Sequence, residues 1–162
     1  MRSSASSDGP ERGETLTRIV PLAYLVAASA AAVALDWLWP GARLIAAPWN
    51  LLGIAPVAAG LALVGAAVRS LHRHHTTVKP RGRPKALVTT GAFAVSRNPI
   101  YLGFVLCLAG AAALLGSLTP WGVVVAFAAF LDAAFVRFEE RRLEEAFGEA
   151  WGEYRRRVRR WV

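Results

Sequence analysis

Four long apolar stretches, separated by basic segments, constrain this chain more than any other feature of its sequence. They cover about residues 19–38, 44–68, 100–118 and 121–137. A helix needs about 20 mainly apolar residues to cross a bilayer, and it satisfies its backbone hydrogen bonds internally. The sequence therefore predicts an all-α integral membrane protein with four transmembrane helices. The 162 residues suffice for one such domain, at residues 18–162, after a polar tail at 1–17 that we expect to be disordered.

The first apolar stretch could also be a signal peptide, because Ala32-Val33-Ala34 is similar to a cleavage site. The segment before it is longer and more acidic than the basic start of a signal peptide, however. Trp37 and Trp39 at its end are typical of residues that anchor a helix at the membrane interface. We therefore favour a transmembrane helix.

The distribution of charge predicts the orientation in the membrane. All Lys and Arg residues except Arg43 fall in the N-terminal segment, the loop at 69–97 or the C-terminal tail. By the positive-inside rule these three segments, and hence both termini, are cytoplasmic. The opposite boundary is rich in tryptophan, as an aromatic belt would be: Trp37, Trp39, Trp49 and Trp121. We expect a multi-pass protein of the cell (inner) membrane.

The formal charge of +8 would also suit a nucleic-acid-binding protein. In this chain the charges flank apolar spans instead of covering a soluble surface, and 55% of the residues are hydrophobic. The sequence therefore predicts the lipid bilayer as a partner, and no nucleic acid.

The triplet Arg97-Asn98-Pro99 lies where the cytoplasmic loop meets the third apolar stretch. Asn is a favoured N-cap residue, and Pro is well suited to the first position of a helix. Such a helix start offers N–H donors and a positive dipole end to a carboxylate or phosphate. The alternative is an ordinary basic loop that holds anionic lipid.

Acidic residues accompany the end of the fourth apolar stretch. On a continuous helix Asp132 and Glu139 would share a face, with Glu140 adjacent and Arg137 close by. A carboxylate inside an apolar run is costly and indicates a functional site, although Asp132 paired with a nearby Arg is the simpler interpretation. The Glu pair could bind a ligand ammonium or balance neighbouring arginines.

Two further patterns are weaker. His72, His74 and His75 lack an obvious fourth ligand, so we expect a polar interfacial segment and no metal site. The C-terminal tail has apolar residues every three or four positions, which predicts an amphipathic helix lying on the membrane or covering the loop. These residues are Phe147, Trp151, Tyr154, Val158 and Trp161.

In this order and spacing, the motifs resemble those of the isoprenylcysteine carboxyl methyltransferase and phospholipid methyltransferase family of integral membrane methyltransferases. The similarity covers about residues 76–161. It is carried by Lys85-Ala86-Leu87-Val88-Thr89-Thr90-Gly91-x-Phe93, by Arg97-Asn98-Pro99-x-Tyr101-x-Gly103, and by Glu139-Glu140-x-x-Leu143 followed by Phe147-Gly148, Trp151, Tyr154, Val158 and Trp161.

The resemblance implies that S-adenosylmethionine binds on the cytoplasmic side and that its methyl group passes to a lipophilic or small acceptor. The implied neighbours of the nucleoside are Lys85, Ala86, Leu87, Val88 and Phe93. Those of the methionine end are Arg97, Asn98, Pro99, Ile100 and Tyr101, with Glu139 facing the amino group. Arg137 and Glu140 are the candidate catalytic residues.

One departure from the family bears on the acceptor. The carboxyl methyltransferase branch usually carries an arginine one turn before the Glu pair, where this chain has Phe135. This departure weakens the case for an isoprenylcysteine-like carboxylate as the acceptor, and it leaves a phospholipid amine, a small thiol or another apolar acceptor open. Two functions from other classes are an NADPH-dependent membrane reductase and a non-catalytic protein that binds anionic lipid.

Overall fold

The computed structural model describes the backbone of residues 11–74 and 86–162, and side chains from residue 21 onward. These ranges contain five α-helices and no β-strand, which confirms the predicted all-α fold. The helices are α1 (Glu11–Leu38), α2 (Ile54–Arg73), α3 (Pro99–Leu115), α4 (Thr119–Leu131) and α5 (Arg137–Arg157). A π-helix at Asp132–Val136 joins α4 to α5, and 3-10 turns occupy Trp49–Gly53 and Gly91–Ala94.

Helix length and composition confirm a membrane fold. Three helical stretches of the described chain are long and apolar enough to cross a bilayer: Pro21–Leu38, Trp49–Arg73 and the continuous helix Thr119–Arg157. Helix α3 has 17 residues, which at 1.5 Å per residue span about 25 Å, less than the ~30 Å of a typical hydrocarbon core. The predicted number of four spans therefore stays a prediction.

Several boundaries differ from the predicted ones. Helix α1 begins at Glu11, so it includes part of the tail expected to be disordered, while residues 1–10 lie outside the described residues. Helix α2 begins at Ile54 and not near 44, because the preceding Pro48 lacks an N–H and a 3-10 turn follows it. Helix α3 ends at Leu115, and Gly116, which follows it, adopts the left-handed conformation (φ +81°) typical of such an end.

Contacts at one end of the helix bundle show that α1 to α4 run alternately up and down. Asn50 Nδ2 donates to Leu114 O (2.9 Å), which ties the start of α2 to the end of α3. Thr119 Oγ1 donates to Trp39 O (2.8 Å), and Ser117 Oγ donates to Asp36, so the end of α1 meets the start of α4 there too. The start of α3 and the end of α4 therefore lie at the other end, which we call the Asn98 end.

Helices α2 and α3 touch backbone to backbone through glycines. A Cβ atom built on Gly60 would lie 2.5 Å from Gly103 O, and one built on Gly103 would lie 2.7 Å from Gly60 O. The same reciprocal approach recurs seven residues away, between Gly53 and Gly110. Small residues permit this close packing. Within a membrane, helices gain nothing by leaving water, so their association is driven by packing of this kind. Gly60 and Gly103 thus let α2 and α3 pack at close distance.

Helices α1 and α4 complete the bundle on the other side of α3. The hydrophobic core that they share with α3 and the π-helix includes Ala32, Tyr101, Leu108, Ala112, Val124, Phe127, Leu131 and Val136. The amphipathic C-terminal helix is present as α5, bent at Gly148 (φ +49°). It buries Trp151 and Tyr154 and leaves the arginines at its end exposed.

Candidate functional site

The turn that precedes α3 is buried beneath the end of the chain. Ser96 and Asn98 are 0% and 7% exposed, and Pro99 occupies the start of α3 as predicted. Arg97 N donates to Arg159 O (3.0 Å), and Ser96 Oγ donates to Arg160 O (3.1 Å). Residues 158–161, which we call the C-terminal segment, therefore hold this turn from outside.

Asn98 lies at the N-cap position, but the predicted capping bond from its side chain is absent. Its Nδ2 instead donates to Glu140 Oε1 and to Arg160 O, both at 3.3 Å. The buried carboxylate of Glu140 and the carbonyl of Arg160 both require hydrogen-bond donors. The Asn98 amide therefore donates to these distant residues and does not cap α3. Asn98 thereby connects α3, α5 and the C-terminal segment.

Glu140 is the centre of the polar network at the Asn98 end. It is 8% exposed and comes from the first turn of α5. Its Oε2 accepts from Arg160 NH2 (2.7 Å) and Nε (3.1 Å), and its Oε1 lies 3.4 Å from Arg97 NH2. Charged hydrogen bonds of this kind are stronger than neutral ones, so Glu140 is held in one orientation.

The π-helix determines which glutamate lies on the same side of the helix as Asp132. On a continuous α-helix, with 3.6 residues per turn, Glu139 would lie in line with Asp132, and that prediction is wrong. A π-turn accommodates one extra residue, which rotates everything after it by about 100°. Asp132 and Glu140 consequently face the same partner, Arg160, whose NH1 donates to Asp132 Oδ1 (3.2 Å).

Glu139 points toward the apolar bundle. Its Oε1 accepts a 2.6 Å hydrogen bond from the hydroxyl of Tyr101, in the first turn of α3. The Tyr101 ring in turn stacks on Phe135, with 6.0 Å between ring centroids. The two predicted site residues Tyr101 and Glu139 are therefore brought together, beside the network around Glu140.

The two candidate catalytic residues lie on different sides of the network. Arg137 Nε donates to Asp132 Oδ2 (2.7 Å), and its side chain is 63% exposed. Arg137 is connected to Glu140 through Asp132 and Arg160. The simpler interpretation of Asp132, as the partner of a nearby arginine, agrees with these contacts.

The predicted nucleoside segment packs beside α5. Tyr154 OH donates to Phe93 O (2.7 Å), and Val88 is 6% exposed, whereas Ala86, Leu87 and Ile100 are half-buried. Lys85 lies outside the described residues. Of the three histidines, His74 contacts Ser70 O through Nδ1 (2.8 Å), and His75 lies outside the described residues.

Arg97 keeps buried donors that no described residue accepts. These donors are Nε and NH1. Nε1 of Trp151 is likewise buried, and no described residue accepts a hydrogen bond from it. The guanidinium carbon of Arg97 lies 5.5 Å from the centroid of the Trp151 ring. Burial lowers the pKa of Arg97, opposed by the charge of Glu140. A buried arginine with donors to spare is chemically suited to an anionic ligand group.

Sequence reasoning missed Ser96, Arg160 and the contact of Trp151 with Arg97. Ser96 adjoins the predicted triplet, and Trp151 was assigned to the amphipathic pattern and to the family motif, without a partner. Arg160 follows several other arginines, of which Arg159 and Arg157 are exposed. Nothing in that run distinguishes the one arginine whose side chain turns inward.

Comparison with known proteins gives two matches. Residues 49–150 match the family model of phospholipid methyltransferases. A stretch of 111 residues, 68% of the chain, is 30% identical to the cobalt-zinc-cadmium resistance protein CzcN of Cupriavidus metallidurans. The match spans about half (51%) of that relative's length. No solved structure matches the chain.

Proposed function

The chain belongs to the phospholipid methyltransferase family, and we propose that it transfers a methyl group from S-adenosylmethionine to a lipophilic or small acceptor in the membrane. The observation that carries this proposal is the meeting of the turn before α3 with the acidic pair that begins α5. Asn98 Nδ2 and Glu140 Oε1 are 3.3 Å apart although 42 residues separate them. Donors for an anion and acceptors for a cation are thereby combined at one place.

The residues present fit the charged end of S-adenosylmethionine. Its carboxylate matches the buried Nε and NH1 of Arg97, from which no described residue accepts a hydrogen bond, and the Trp151 N–H would be a further donor. Its ammonium matches a carboxylate, and Glu139 offers one whose second oxygen is not used by Tyr101. Asn98 and Glu140 would brace this arrangement, and the segment from Ala86 to Phe93 would border the nucleoside.

S-adenosylmethionine supplies a methyl group on a sulfonium, which is already reactive toward amines, thiolates and carboxylates. The protein then has little acid–base chemistry to perform. Orientation of donor and acceptor accounts for most of the acceleration available to such a site. The network around Glu140 supplies that orientation, because it connects α3, α5 and the C-terminal segment.

An aromatic cluster supports an acceptor that arrives from the bilayer. It consists of Tyr24, Phe130, Phe135 and Tyr101, with ring centroids 4.8–6.0 Å apart. Tyr24 and Phe130 are 43% and 39% exposed on the outer surface of α1 and α4, and Tyr101 at the inner end contacts Glu139. Where the carboxyl methyltransferase branch usually has an arginine, this chain has Phe135, whose ring belongs to the aromatic cluster. An aromatic ring at this position favours an amine, thiol or other apolar acceptor over a carboxylate.

The charge distribution supports a cytoplasmic location for the Asn98 end. The arginine-rich end of α5 lies here, and the tryptophans 37, 39 and 49 are exposed at the opposite end. S-adenosylmethionine would then enter from the cytosol, while the acceptor enters sideways between helices.

The proposed activity predicts binding of S-adenosylmethionine or S-adenosylhomocysteine to the detergent-purified full chain at micromolar concentration. Isothermal titration checks binding, and incubation of membranes with methyl-labelled cofactor checks transfer into lipid, protein or a volatile product. Titration with NADPH and with anionic-lipid micelles serves as comparison. Selective binding of NADPH or of lipid, with no binding of either sulfur compound, would refute the proposal.

Tyr154→Phe is expected to raise the KM for S-adenosylmethionine about fivefold and to leave kcat nearly unchanged. The change removes the hydrogen bond to Phe93 O and so loosens the segment proposed to border the nucleoside; a net loss of about 1 kcal/mol is typical for such a bond. Steady-state kinetics at saturating acceptor measures both constants. Tyr24→Phe, which keeps an exposed ring, is the matched control, and equal KM values for the two variants would contradict the assignment.

A further inference from the structure

The C-terminal segment is built into the candidate site. After α5 ends, Val158 is extended (φ −121°, ψ 132°) and the chain crosses the turn before α3. Carbonyl oxygens of Arg159 and Arg160 accept from Arg97 N, from Ser96 Oγ and from Asn98 Nδ2. Trp161 packs against the bundle core beyond them. The last residues therefore contact the same turn that the proposed cofactor site uses.

Arg160 engages two acids with all three of its guanidinium nitrogens. Nε and NH2 donate to Glu140 Oε2, while NH1 donates to Asp132 Oδ1. The carboxylate side chains are only 10% and 15% exposed, so their mutual repulsion is poorly screened by water. A cation between them relieves that repulsion, and the hydrogen bond to Glu140 raises the pKa of Arg160.

We propose that Arg160 is a positioning residue of the methyl-transfer site: it holds Glu140 in the orientation that receives Asn98 and Arg97, and Asp132 in turn orients Arg160. This inference rests on the proposed function. It assigns roles to Arg160 and Asp132, to which the proposed function by itself gives none. A planar guanidinium with donors on three nitrogens spans two carboxylates, which an ammonium cannot do with the same geometry. Glu140 depends on this support because it comes from a helix start joined to a π-turn.

The test compares Arg160→Gln and Arg160→Lys with Arg159→Gln in the full chain. Arg159 is the neighbouring exposed arginine, whose backbone carbonyl bond to Arg97 survives substitution of its side chain. Loss of hydrogen bonds between charged groups costs roughly 1.5–3 kcal/mol, or about 10- to 100-fold in affinity. Arg160→Gln should raise the dissociation constant of S-adenosylhomocysteine by at least about tenfold, Arg160→Lys should recover part of this, and Arg159→Gln should match the wild type.

A double-mutant cycle with Asp132→Asn separates positioning from general stability. If Asp132 acts through Arg160, the variant carrying Asp132→Asn and Arg160→Gln should bind no more weakly than Arg160→Gln alone. Thermal unfolding in the same detergent is measured alongside. Wild-type affinity of Arg160→Gln, additive losses in the double variant, or a loss shared by Arg159→Gln would each overturn the positioning role. Failure of the wild type to bind would instead refute the proposed function, and the positioning role with it.

Discussion

Glu140→Gln should lower the affinity for S-adenosylmethionine by about 100-fold or more, the largest effect that we expect of a single substitution at the candidate site. Glu140 accepts from Asn98 and Arg160 and forms an ion pair with Arg97 (3.4 Å). Removing one member of a buried charged pair typically costs about 3–5 kcal/mol, because the remaining charge stays buried without a partner. The free variant can relax out of this arrangement and must restore it to bind the cofactor, so we expect about 3 kcal/mol, the lower end of that range, to appear as a loss of affinity of roughly 100-fold.

Calorimetric titration of S-adenosylhomocysteine measures this loss directly. Glu144→Gln is the matched control, because its carboxylate is 58% exposed and forms a surface ion pair with Arg155 (3.7 Å); such pairs contribute little. Glu140→Asp, which keeps the charge on a shorter side chain, should retain more affinity than Glu140→Gln. An affinity for Glu140→Gln within threefold of the wild type would show that this network does not support the cofactor.

Gly103→Val should strongly destabilise the whole bundle. A Cβ atom at this position would lie 2.5 Å from Val64 Cγ2 and 2.7 Å from Gly60 O, so α2 and α3 must move apart. Overpacking of this kind typically costs 1–3 kcal/mol, and a backbone obstacle favours the upper half. About 2–3 kcal/mol in a chain of this length corresponds to a fall of roughly 5–10 °C in Tm.

Gly122→Val supplies the control for this prediction. Gly122 is also helical, and a Cβ atom there meets no atom of the described residues within 4 Å. Both variants replace a helical glycine by valine, so they share the same change in helix propensity. They differ because Gly103→Val also introduces a steric clash between α2 and α3. Thermal unfolding in one detergent should show a large loss for Gly103→Val and little change for Gly122→Val; equal Tm values would mean that the glycine contact does not set the distance between α2 and α3.

Much of the candidate site was predictable because local chemistry determines it. Asn and Pro mark a helix start in any surroundings, so the beginning of α3 at Pro99 follows from the residues themselves. The approach of the Glu pair to that start was expected from the resemblance to a family, and the structure places Glu140 against Asn98. The capping bond of Asn98 was not correctly predicted, since a partner distant in sequence competes for its amide.

The acidic cluster shows where periodicity reaches its limit. Counting along a continuous helix paired Asp132 with Glu139, and the π-helix replaced that partner by Glu140. A π-turn leaves no pattern of polar and apolar residues of its own, because the apolar stretch simply continues through it. Its one-residue change of phase is visible only in coordinates.

The sequence by itself determined that this chain is a helical membrane protein of the phospholipid methyltransferase family, because apolar run length and short motifs act locally and need no knowledge of neighbours. Only the tertiary structure decided which side chains meet: Gly60 with Gly103, Tyr101 with Glu139, and Arg160 with both Glu140 and Asp132. The physical reason is that such contacts depend on helix rotation and on the path of the chain end. One extra residue in a helical turn, or the inward orientation of one arginine among several, is enough to change which side chains meet.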